Sequence, residues 1–224
     1  MEIDTSDSAS IHKPLQDKAL ALGLQFESCL DIGSGTRIQR DWFNKFRLSV
    51  PPRQFVAAEV DAALLAELTN KGVEVINPSV DEDDRKFDLT MALEVIEHQK
   101  ETEIVGFLNW CERKTNKLFV LTTPNFEYWK LTNTVRDARA LPDYIECRWI
   151  PDHFSYYDSN SSDPHFHKYP VTPAALIDFI RDSSFGSPAW DFKVFRAWPW
   201  SLTDEARGNR FDLYFKIFCL AWRV

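Results

Sequence analysis

The run Leu30-Asp31-Ile32-Gly33-Ser34-Gly35-Thr36 constrains this chain more than any other stretch. Apolar residues lead straight into two glycines one residue apart, the pattern of a buried strand that ends in a sharp turn. Glycine lets the backbone bend and lets a ligand approach closely, because no Cβ stands in the way. A second strand follows and ends at Glu59. An acid before the first turn can hold a cationic amino group, and an acid at the second strand's end can hold a ribose diol. Together they suit a nucleoside with a positively charged tail.

Composition narrows the class. The 224 residues allow one good hydrophobic core, and the sequence reads as a single domain over 1–224. Hydrophobic residues at 44% and charged residues at 27% are the balance of a folded globular protein. No apolar run approaches the roughly 20 residues that span a bilayer, so no membrane partner is expected. The acidic, serine-rich start does not read as a secretory signal. Cys29, Cys111, Cys147 and Cys219 are far apart, without CxxC spacing. Buried free thiols fit a reducing compartment, so the cytoplasm is the expected location. A net charge of −8 argues against broad attraction to nucleic acid, though not against recognition of one RNA end by a local patch.

Along the chain, helical spacing at 14–22 precedes a strand at 28–32, a helix near 40–46 and a strand at 55–59. Asp61 starts a helix with Leu64, Leu65 and Leu68 on one face, ending before Gly72. Strands at 73–76 and 87–93, a helix over 100–112 and a strand at 117–122 follow. Such alternation implies a parallel sheet with helices on both faces, and ligands then sit at the carboxyl ends of the strands. Residues 124–171 are rich in aromatics and prolines and poorly periodic, which suits a cap or substrate-binding excursion. Thr172 and Pro173 open another helix, running through Ile180. Strands near 192–197 and 211–222 close the chain, with the polar 199–209 between them read as a surface loop.

The ordered segments LDIGSGT, FVAAEVDAALL, FDLTMALEVIEH and LFVLTTPN resemble class I S-adenosylmethionine-dependent methyltransferases over residues 28–125. A looser similarity runs from His165 through HFHKYPVTPAALIDFI to the end. The resemblance implies an α/β fold: a Rossmann-like, seven-stranded, mostly parallel sheet with an antiparallel C-terminal strand and an aromatic cap after strand five. It also implies S-adenosylmethionine as cofactor. Asp31, Gly33, Ser34 and Gly35 would cradle the methionine moiety, Glu59 would hold the ribose hydroxyls, and Val60 would pack on the adenine. The family's acid after strand three aligns nearest to Ser79, with Val80 and Asp81 beside it. Leu93 and Glu94, where strand four ends, complete the cofactor set. Arg37 stands where the family often has a third glycine. A nicotinamide-binding fingerprint is not met, because Ile38 occupies its third glycine position.

Glu94-Val95-Ile96-Glu97-His98 falls just past strand four. If helical, it would turn Glu94, Glu97 and His98 to one face. With His167 or His165 added, oxygen and nitrogen donors of this kind suit magnesium or manganese better than structural zinc. The segment is similar to the E-x-x-E-H of small-RNA 3′-terminal 2′-O-methyltransferases, which also carry a later histidine before an aromatic residue and a threonine. Glu94, Glu97, His98 and His167 match those positions, and in that family the metal grips the terminal ribose diol. Pro170 and Val171 depart from its acidic and bulky aromatic pair. In small-molecule methyltransferases the same motif caps a helix or shapes the pocket without metal. The leading expectation is therefore methyl transfer to an oxygen of a small molecule, with His98 or His167 as base or metal ligand. Metal-dependent 2′-O-methylation of an RNA 3′ end is the alternative, and a non-catalytic binding module the third reading.

Overall fold

A computed structural model describes residues 21–23, 25–35, 54–80, 82–126, 167–204 and 209–224, with backbone alone at 196–204 and 209–215. Strands β1 (Ser28–Ile32), β2 (Gln54–Ala58), β3 (Glu74–Ile76), β4 (Phe87–Leu93), β5 (Thr115–Pro124), β6 (Trp190–Asp204) and β7 (Asn209–Arg223) form one sheet. Its order is β3-β2-β1-β4-β5-β7-β6. The first five strands are mutually parallel, and β7 runs antiparallel to both β5 and β6. The strand order reverses between β1 and β4, so a crevice opens at their carboxyl ends. The expected fold class is the observed one.

Three helices are described: α1 (Ala62–Asn70), α2 (Glu101–Lys114) and α3 (Pro173–Asp182). Asp61 caps α1 by accepting from Ala63 N at 2.8 Å and Leu64 N at 3.0 Å. That cap is worth about 1 kcal/mol. Thr172 does the same for α3 through Ala175 N at 3.2 Å, with Pro173 in the first turn where a missing N–H costs nothing. Among the described residues no helix is long and apolar enough to cross a membrane.

Alternation along the strands builds two cores. Leu30, Val56, Phe119, Leu121, Ile217 and Cys219 face α2 and α3, which bring Ile104, Leu108, Leu176 and Ile180. Cys29, Leu89, Met91, Leu118, Val120, Phe218 and Leu220 form the cluster on the other face. Phe87 lies in the first cluster and Leu89 in the second, although two residues apart they should share a face. A register shift between them accounts for this. Cys29 and Cys219 are buried free thiols, as expected, and Cys111 is another.

Three expectations need correction. The polar stretch 199–209 is not simply a loop, because β6 runs to Asp204 and pairs residue by residue with β7 from Asn209. Trp198, Trp200 and Leu202 alternate with polar residues there, which suits a hairpin, and Pro199 is tolerated because β6 is an edge strand. The helix read as 100–112 runs on to Lys114, and β5 begins at the next residue. Thr115 makes this abrupt change by turning to an extended conformation while its hydroxyl donates to Cys111 O at 2.7 Å. The segment after β4 is also not a regular helix. Glu94 has φ +60 and only Ile96–His98 form a 3-10 turn, so the shared helical face does not exist. The expected helices at 40–46 and over most of 14–22, and most of the cap, lie outside the described residues.

Candidate cofactor and metal site

The glycine turn is fixed from three sides. Gly33 has φ +65, and its N–H donates to Ala58 O at 2.8 Å, tying the tip of β1 to the tip of β2. A Cβ on Gly33 would stand 2.6 Å from Val95 Cγ2, so only glycine fits beneath the segment leaving β4. Gly35, also at positive φ, donates its N–H to Glu59 Oε2 at 3.2 Å. Glu59 Oε1 accepts from Val60 N at 2.8 Å and Asp61 N at 3.2 Å. The carboxylate is thus aimed by three amides, yet its two oxygens keep acceptor capacity for a diol.

These residues border a crevice of about 660 Å³, within the roughly 300–1,000 Å³ of ordinary ligand sites. Gly33, Gly35, Glu59, Val60 and Glu94 line it, as do Leu64, Pro78, Phe107 and Trp110, and it continues to Val95, His98 and Lys168. Asp31 and Ser34 lie behind the lining, almost wholly buried, and Ser34 Oγ has no hydrogen-bond partner among the described residues. Ser79 and Val80 are exposed and off the lining, where Pro78 stands instead. Leu93 packs in the cluster on the opposite face. Asp81 and His165 lie outside the described residues.

The chain closes a second constellation at long range. Phe126 N donates to Val171 O at 3.0 Å, so the excursion leaves β5 and returns at adjacent points. Lys168 N and Tyr169 N both donate to Glu97 O, at 2.7 and 3.2 Å. This stitching brings His167 against His98, with ring centroids 4.9 Å apart and the rings edge to face. One ligand atom each from Glu97, His98 and His167 lies within 4.8 Å of the other two.

Glu94, the fourth matched residue, is held elsewhere. Its N–H donates to Thr122 O at 2.9 Å, its Oε1 accepts from Thr122 Oγ1 at 2.8 Å, and its Oε2 pairs with Lys216 Nζ. These contacts keep a non-glycine residue at positive φ, a conformation that costs of order 1–3 kcal/mol and clusters at functional sites. Burial pulls the Lys216 ammonium down to about 7.

Glu97 is only 1% exposed, and Thr123 Oγ1 donates to its Oε2 at 3.0 Å. Its Oε1 is buried with no partner among the described residues. Burial pushes the carboxyl up to about 8, against the lowering effect of the threonine. A buried carboxylate oxygen with spare capacity beside two imidazoles is what a divalent cation requires, so the residues fit such an ion. Thr122, Thr123, Lys168 and Lys216 were not singled out in the sequence. Two threonines ending an apolar strand, and one lysine inside Phe215-Lys216-Ile217, were the available signals.

No protein-family profile matches the chain, and no curated protein matches it. Solved structures do. The plantazolicin methyltransferase BamL, crystallised with a triazolic desmethylPZN analog and S-adenosylhomocysteine, superposes with a TM-score of 0.60 at 10% identity, covering 99% of this chain and 86% of its own. A small RNA methyltransferase superposes with a TM-score of 0.54 at 17% identity, covering all of this chain but only 26% of its own. A methyltransferase from Clostridium acetobutylicum gives 0.57 at 11% identity, covering 97% of this chain and 92% of its own. The fold is that of the S-adenosylmethionine-dependent methyltransferases.

Proposed function

We propose that this chain is an S-adenosylmethionine-dependent methyltransferase whose acceptor is a hydroxyl of a vicinal diol, the 3′-terminal ribose of an RNA. The observation that carries the acceptor reading is the convergence of Glu97, His98 and His167 beside the crevice. A buried carboxyl with an unpartnered oxygen among the described residues, facing two histidines, is a donor set for a divalent cation that can grip a diol. The likeness to a small RNA methyltransferase, and to an RNA repair complex at 17% identity and a TM-score of 0.55, supports the same reading. This chain spans 41% of that second protein.

The cofactor, when bound, supplies a sulfonium methyl. Transfer of that methyl to the acceptor oxygen would leave a neutral thioether behind, with the hydroxyl proton passing to the chain. A divalent cation would supply charge that orients a diol and lowers the pKa of its hydroxyl. The chain does the rest by positioning. The Gly33–Gly35 turn and Glu59 hold the nucleoside across the tips of β1 and β2. Glu97, His98 and His167 hold the acceptor end, and a histidine of the pair that does not ligate takes the hydroxyl proton.

A second reading keeps the cofactor and changes the acceptor. The net charge of −8 and the aromatic wall of Phe107 and Trp110 favour an uncharged small molecule. Radiolabelled methyl transfer separates the two. The proposal expects label on an oligoribonucleotide with a 3′-terminal diol and none on its 2′-deoxy-terminated counterpart. It also expects the signal to need Mn²⁺ or Mg²⁺ and to vanish in His167→Ala. Transfer that survives chelator and His167→Ala would overturn the metal and RNA readings together.

A further inference from the structure

The carboxylates that line the crevice each have a partner in the chain. Glu59 accepts from three backbone amides, and Asp61 caps α1. Glu94 is paired with Lys216, and Glu103 accepts from Lys100 N at the start of α2. Lys168 is the one lysine or arginine of the lining among the described residues, and its ammonium has no hydrogen bond or ion pair there. Its backbone is nonetheless fixed. The residue is half-buried, its N–H is committed to Glu97 O at 2.7 Å, and its neighbour His167 is one of the three clustered donors. A lysine on the wall of an acidic crevice, with the acids of that lining already engaged among the described residues, is suited to an anionic ligand.

Resting on the acceptor reading above, we propose that Lys168 is a phosphate subsite: it binds the phosphodiester that joins the terminal nucleotide to the rest of the acceptor strand. The subsite would supply local positive charge for nucleic acid in a chain of net charge −8. It would also select a nucleotide end over a neutral nucleoside carrying the same diol. Lysine acts here as a point charge, so arginine should substitute and an isosteric neutral residue should not.

The test uses the whole chain with Mn²⁺ and S-adenosylmethionine, comparing Lys168→Met and Lys168→Arg with wild type. The acceptors are a short oligoribonucleotide and free adenosine. Lys168→Met is expected to raise KM for the oligonucleotide about 10-fold or more, leave KM for adenosine within about twofold, and leave S-adenosylhomocysteine affinity by calorimetry unchanged. The slope of log affinity against log salt, read by fluorescence anisotropy of the labelled oligonucleotide, should become shallower by about 0.7. Lys168→Arg should restore both. Equal losses for adenosine and oligonucleotide, or an unchanged salt slope, would overturn the subsite. So would weakened S-adenosylhomocysteine binding, which would assign Lys168 to the cofactor's carboxylate. A wild type that does not bind the oligonucleotide at all overturns it too. Metal-independent transfer by a wild type whose Lys168→Met variant still shows the selective loss would instead count against the metal assignment alone.

Discussion

Glu97→Gln tests the buried carboxyl directly. A carboxyl that titrates at 4.5 when exposed and is pushed up to about 8 in the folded chain binds its proton more tightly folded than unfolded. Between those values the unfolded chain gives up the proton first, so stability falls as pH rises, by about 1.4 kcal/mol per pH unit. It levels off above about 8, with a total loss of about 5 kcal/mol from this one group. Glutamine keeps the shape and an acceptor for Thr123 Oγ1 but carries no titrating proton. Urea unfolding of wild type and variant at pH 5, 7 and 9 in chelator should give nearly equal stabilities at pH 5. The variant should be several kcal/mol the more stable at pH 9, and taking the difference cancels the titrations of groups distant from Glu97. Saturating Mn²⁺ should rescue wild type at pH 9 and leave the variant unmoved. Parallel pH profiles for the two proteins would refute the assignment of a strained carboxyl.

Gly33→Ala combines a positive φ with a Cβ 2.6 Å from Val95 Cγ2, so it should cost about 2–4 kcal/mol of stability and most of the cofactor affinity, both measurable by thermal unfolding with and without S-adenosylhomocysteine. Thr172→Ala removes only the α3 cap and should lower stability by about 1 kcal/mol in urea, with cofactor affinity unaltered. Asp88 is held below the usual carboxylate range by Glu27 N, Lys117 and Asn116 against its own burial. Its contribution is complete above the unfolded carboxylate range and fades as pH falls through the lowered value, so Asp88→Asn should flatten part of the acid limb of the unfolding profile.

Much of this fold was legible because its strands are short apolar runs with clear ends. β1 and β4 fall at the expected residues, since Gly33 stops the first and the acidic Glu94 stops the second. The caps of α1 and α3 were equally legible, as Asp61 and Thr172 precede helical periodicity. The long β6–β7 hairpin was hidden because Ser201, Thr203 and Asp204 look like loop composition, while edge strands tolerate such residues on an open face. The Glu94–His98 segment misled for a different reason. Its spacing is helical, but tertiary ties to Thr122 and Lys216 impose a left-handed residue and a 3-10 turn. The meeting of His98 with His167, 69 positions apart, left no local signal, and only the resemblance to RNA methyltransferases pointed to it.

The central claim is that the tips of β1 and β2 grip a sulfonium nucleoside through the glycine bend and Glu59. Calorimetric titration of S-adenosylhomocysteine into wild type and Glu59→Ala measures this most directly. One saturable site in wild type is predicted, weakened at least 10-fold in a variant that circular dichroism shows to be folded, as expected when a charged hydrogen-bond acceptor is lost. No binding heat with folded wild type, or equal affinity for the two proteins, would contradict the account.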